Sequence, residues 1–121
     1  MGWWGTFGAT ESLQFYPDSF INASSQSQPK YLVLHLKNTG SASAVIYKVE
    51  ISGLGTVTTK FASATTYITT TSTLTEVTVG PGTEVYVVVS VPGTPIAGAN
   101  YLVKVYTRAG NVYSVTVQAK A

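Results

Sequence analysis

The chain has 121 residues and a mass of 12.8 kDa, enough for one domain with one hydrophobic core. Charged residues are only 10% of it, well below the ~25% of an ordinary soluble domain, with one histidine, no cysteine and a net charge of +2. That inventory argues against a metalloenzyme, a kinase-like cytosolic enzyme, a disulfide-stapled module and a polybasic nucleic-acid binder.

Residues 1–9 place Gly2, Gly5 and Gly8 between Trp3, Trp4 and Phe7. Glycine at that density favours neither helix nor strand, so a flexible leading segment is expected, cut at a domain boundary. A β-domain is expected over residues 10–121. Residues 12–16 alternate as a strand and stop at Pro17-Asp18, and residues 19–29 read as a polar loop. Residues 31–37 give the cleanest strand, with Leu32, Leu34 and Leu36 on the core face and Tyr31, His35 and Lys37 on the other. Asn38-Thr39-Gly40-Ser41 is a turn signal. Val45, Tyr47, Val49 and Ile51 then predict a second buried face, with Ile46, Lys48 and Glu50 pointing outward.

The Thr-rich stretch 56–79 reads as two weaker strands, and Gly80-Pro81-Gly82 is a firm break. No lysine or helix pattern follows to make that break a phosphate-binding loop. Val85, Val87, Val89 and Val91 form the next buried face, closed by Pro92-Gly93. Tyr101, Val103 and Val105 follow, then Tyr113, Val115 and Val117, separated by Arg108-Ala109-Gly110-Asn111. No stretch has helical period and none reaches the ~18 apolar residues of a membrane span. Seven to eight short strands with frequent turns predict an all-β, antiparallel, immunoglobulin-like β-sandwich.

Chemistry-bearing residues are sparse. His35 is the one imidazole; a general base needs an orienting group and a nucleophile, and Val33 and Lys37 on its face supply neither. It reads as a solvated or interface histidine. Glu11, Asp18, Glu50, Glu76 and Glu84 are well separated and read as surface acids rather than a catalytic pair. The reading is a non-enzymatic chain with no cofactor, no metal and no catalytic residue. Parity directs Ile46, Tyr86, Val88, Leu102 and Tyr106 outward, which makes them candidates for an interface with a partner subunit. The exposed tyrosines also suit sugar stacking, or cover for a second buried face. Asn22-Ala23-Ser24 is a sequon, making Asn22 a glycosylation candidate in a loop.

Three stretches resemble archaeal proteins made with class III signals, the type IV pilins, archaellins and archaellum stator subunits: WWGTFG, YLVLHLKNTGSASAVIYKVEISG, and VGPGTEVYVVVSVPG with ANYLVKVYTRAGNVYSVTVQAKA. Together they span most of the chain, which departs from that family in showing neither the signal nor the amino-terminal membrane helix. The resemblance implies an extracellular domain held at the cell surface by a preceding membrane helix. It would serve motility or adhesion, either by anchoring an archaellum or pilus to the envelope through a surface-layer protein or by packing with other filament subunits as a homo-oligomer. Nucleic acid is not among the implied partners. The competing reading is a secreted carbohydrate-binding or adhesin β-sandwich.

Overall fold

The computed structural model describes residues 10–24, 30–68 and 72–120; the leading segment 1–9 lies outside them. Among the described residues the chain is all-β, in ten strands: β1 (Leu13–Phe15), β2 (Phe20–Asn22), β3 (Tyr31–Asn38), β4 (Ala44–Ile51), β5 (Gly55–Val57), β6 (Phe61–Ala64), β7 (Val77–Val79), β8 (Glu84–Ser90), β9 (Asn100–Thr107) and β10 (Val112–Lys120). The excess over seven or eight has two sources. Proline at position 17 breaks the first strand into β1 and β2, placing β2 where a loop is expected, and the Thr-rich stretch holds β5, β6 and β7.

The strands hydrogen-bond in the order β5-β4-β9-β10-β2-β3-β8-β6, with β1 added to β3 and β7 to β4. The sheet curls so that β3 and β8 face β4, β9 and β10 across a common core. Alternation fills that core as the sequence predicts. Leu32, Leu34 and Leu36 lie opposite Val89, Val87 and Val85 on the neighbouring strand, and all six join one buried cluster with Val49, Ile51, Val103, Val105 and Val117. Phe61, fully buried, adds the largest side chain.

The seam between the halves is the parallel pairing of β2 with β10, confined to Phe20–Asn22 against Gln118–Lys120. The Tyr16–Ser19 kink carries the first strand along one edge of β3. On its near side β1 pairs residues 36–38, and beyond it β2 pairs residues 31–33 while reaching β10.

Two parity expectations fail for physical reasons. A bulge between Ile46 and Lys48 inserts one residue into β4 where it pairs with β9. One extra residue exchanges the two faces, so Ile46 is fully buried in the main core, while Tyr47 moves out beneath the Arg108 guanidinium, 4.9 Å from its ring centre. Val88 does lie on the outer face of β8, but it is fully buried in a second small cluster with Val33 and Ala62, against which Phe20, Tyr31, Ile68 and Tyr86 pack. The stretch after β6, which supplies Ile68, covers this face. Val88 is therefore covered by the chain itself.

The Asn-x-Gly turn before β4 ties down the residues leading into β1. Asn38 is fully buried; its Nδ2 donates to the Ala42 and Val79 carbonyls at 2.7 and 3.0 Å, and its Oδ1 accepts from the Ser12 and Gly40 amides at 3.1 and 3.0 Å. A short amide side chain thereby takes the place of a backbone ladder partner.

Candidate functional site

On the outer face of β3 and β8, His35 is buried rather than solvated. Its ring lies between two tyrosines, 4.2 Å from Tyr16 and 4.1 Å from Tyr86, centre to centre, with interplanar angles of 28° and 12°. Nδ1 faces Asp18 Oδ1 at 2.9 Å and Nε2 faces Glu84 Oε2 at 2.5 Å. A neutral imidazole donates from one nitrogen only. Two carboxylates on opposite nitrogens therefore call for the imidazolium, which the flanking aromatic faces also favour. Burial, the largest single influence, works against the charge. Hydrogen bonds to Glu84 and Asp18 and the charges of the two carboxylates outweigh it, so the pKa lies above the ordinary 6.5. The ring's two nitrogens are both taken by carboxylates, and the nearby Ser19 hydroxyl meets the His35 backbone amide at 3.0 Å and the Tyr16 carbonyl rather than the ring.

The opposite outer face, of β4, β9 and β10, is polar and internally matched. Lys48 sits 4.3 Å over the Tyr106 ring, and the Tyr106 hydroxyl donates to Glu50 Oε1 at 2.8 Å. That hydrogen bond, then burial, then the Glu50 charge raise the Tyr106 pKa. Glu50 is also directly opposite Lys104. Leu102 projects from this face, 40% exposed, beside a shallow hollow of about 80 Å³ that it lines with Glu50, Ser52 and Lys104.

The five interface candidates therefore do not form one surface. Leu102 and Tyr106 share the face of β9, Tyr86 and Val88 lie on the opposite face of the sandwich, and Ile46 is in the core. Asn22 is half-buried in β2, and the nitrogen that would carry a glycan donates to the Tyr31 hydroxyl at 2.8 Å.

Glu11 is a structural acid that its sequence position does not disclose. It is buried, and its Oε2 accepts from Thr107 Oγ1 at 2.5 Å, Tyr113 Oη at 3.1 Å and Asn111 Nδ2 at 3.2 Å. These partners are 96 to 102 residues away along the chain, so no local motif reveals them. The Asn-x-Gly turn is legible as a turn; its grip on residues 10–12 is not.

No protein-family model matches the chain, and no curated protein matches it in sequence. Among solved structures the chain is similar to the archaeal flagellum of Methanospirillum hungatei strain JF1, with a TM-score of 0.63 and 20% identity, over 98% of this chain and 71% of that one. It is also similar to the archaellum periplasmic stator protein FlaG from Sulfolobus acidocaldarius, with a TM-score of 0.52 and 16% identity, over 88% of this chain and 99% of that one. The chain thus has an all-β sandwich fold shared with archaellum proteins.

Proposed function

We propose that this chain is a non-enzymatic, extracellular domain of an archaeal surface-filament system, rooted in the membrane by a segment preceding the sandwich and working by association with other filament subunits. The observation that carries this reading is the structural match to an archaellum filament, which runs along 98% of the chain. The match to a stator protein is less close and covers less of the chain, so filament packing is favoured over anchoring to a surface-layer protein. Side-chain chemistry points the same way. The imidazole has both nitrogens committed to carboxylates. Tyr86 is stacked on His35 with Tyr67 edge-on against it, and Tyr106 lies under Lys48, so the tyrosines best suited to sugar stacking are already engaged.

Immunogold labelling of whole cells of the source organism with antibody raised against the domain tests this reading. Label along filament shafts supports a filament subunit. Label confined to filament bases or the envelope replaces that role with anchoring, and label at neither place overturns the proposal.

A further inference from the structure

The His35 cluster spans three adjacent strands. Tyr16 and Asp18 belong to the kink between β1 and β2 on one edge of β3; Glu84 and Tyr86 belong to β8 on the other edge. The near side of the kink is held independently of charge, by the Tyr16 amide on the His35 carbonyl at 2.8 Å and the His35 amide on Ser19 Oγ at 3.0 Å. The far side reaches β8 through the imidazolium and a longer bond from the Tyr16 hydroxyl to Glu84 Oε1, 3.3 Å. Immediately after this kink, β2 makes the short parallel pairing with β10 that joins the two halves of the sheet.

We propose that protonated His35 is a pH-operated latch that holds the β1–β2 kink against β8, and that its deprotonation loosens the seam where β2 meets β10. Every titratable or charged group around the ring fits that role. Asp18 and Glu84 take one nitrogen each. Tyr16 and Tyr86 take the two ring faces. Lys37, two residues along β3, is opposite Glu84 in register, and Tyr67 backs Tyr86 at 5.9 Å. When the ring loses its proton, one nitrogen becomes an acceptor facing a carboxylate, and two acceptors repel. Either the kink or β8 must then let go of the ring. The sign follows from linkage: the closed state holds the proton more tightly than the open one. The latch is therefore complete below the unperturbed value near pH 6.5 and is lost as pH rises through the raised value of the folded state. This inference does not depend on the filament proposal.

Amide hydrogen exchange of the purified domain from pH 6 to pH 9, corrected for intrinsic rates, tests it, with the His35 ring titration followed by NMR in the same samples. His35 is the only histidine in the chain, so its signal is unambiguous. The expected result is a loss of protection at residues 16–22 and 118–120 with the midpoint of the ring titration, while residues 32–36 and 85–89 stay protected. The loss should be about tenfold for each pH unit by which the closed state raises the ring's midpoint. Asp18→Asn, at a largely exposed side chain, should move both midpoints to lower pH together without unfolding the domain. Protection that is independent of pH, that falls uniformly over all strands, or that falls with an unchanged midpoint in Asp18→Asn would overturn the latch. So would the same pH-dependent loss in His35→Gln.

Discussion

Gly40→Ala should be among the most damaging single-methyl additions to this domain, because of what surrounds the residue rather than its backbone angles. A Cβ at position 40 would lie 2.1 Å from the Thr10 carbonyl oxygen, 2.7 Å from the Ser12 nitrogen and 2.8 Å from the Glu11 carbonyl carbon. All three are backbone atoms, so no rotamer change relieves the clash. The turn or residues 10–12 must withdraw. The bonds joining them run from the Ser41 and Ala42 amides to the Thr10 carbonyl, from the Thr39 amide to the Ser12 carbonyl, and from the Ser12 amide to Asn38 Oδ1. Losing about three of these at ~1 kcal/mol each gives about 3 kcal/mol, a large part of the ~5–15 kcal/mol that holds a domain together. At about 4 °C per kcal/mol for a domain of this size, the melting temperature should fall by about 12 °C. Gly82 is the control. Its φ is +72° and nothing lies within 4 Å of its Cβ position, so Gly82→Ala meets only the left-handed penalty of ~1 kcal/mol, or about 4 °C. Thermal melts followed by circular dichroism compare the two. Equal losses in both variants, or a Gly40→Ala protein that melts with wild type, would refute the argument that close backbone approach selects glycine there.

Ile46→Asp buries an unpaired charge at a fully buried site and should leave no cooperative urea transition or lower stability by at least ~4 kcal/mol. Leu102→Asp, at a 40% exposed site, should stay within ~0.5 kcal/mol of wild type in the same measurement. Glu11→Ala strands the Thr107, Asn111 and Tyr113 donors and should cost about 2–3 kcal/mol by urea denaturation. Tyr113→Phe, which removes one of those donors, should cost about 1 kcal/mol. Ultraviolet titration should place Tyr16, Tyr67, Tyr106 and Tyr113 above the ordinary 10.0: burial and the Glu84 charge raise Tyr16, burial and Tyr31 raise Tyr67, the Glu50 hydrogen bond raises Tyr106, and burial and Glu11 raise Tyr113. A raised folded value means the native state keeps protons that the unfolded chain releases. Stability should therefore fall as pH rises above 10 through the folded values, and Glu50→Gln should move the Tyr106 signal back down.

The sequence by itself determined whatever depends on neighbours two residues apart. A strand turns alternate side chains to opposite faces, so Leu32, Leu34 and Leu36, or Val85, Val87 and Val89, declare a core face without knowledge of their partners. Scarcity of charge, proline and glycine punctuation and β-branched residues likewise select an all-β fold. Parity holds only while the count is unbroken. The bulge between Ile46 and Lys48 adds one residue to one strand and reverses the faces, and nothing within AVIYKVEI marks the place. Whether an outward side chain meets solvent was decided elsewhere in the chain, since the stretch after β6 buries Val88.

The polar clusters depend on tertiary structure alone. His35 meets Asp18 and Glu84 across separations of 17 and 49 residues, and Glu11 meets Thr107 across 96. Each partner is an unremarkable surface-type residue in its own segment. Only the pairing of strands distant in sequence, β1 and β2 along one edge of β3 and β8 along the other, brings the His35 partners within bonding distance and buries the ring between them, and the same long-range packing buries Glu11 against Thr107.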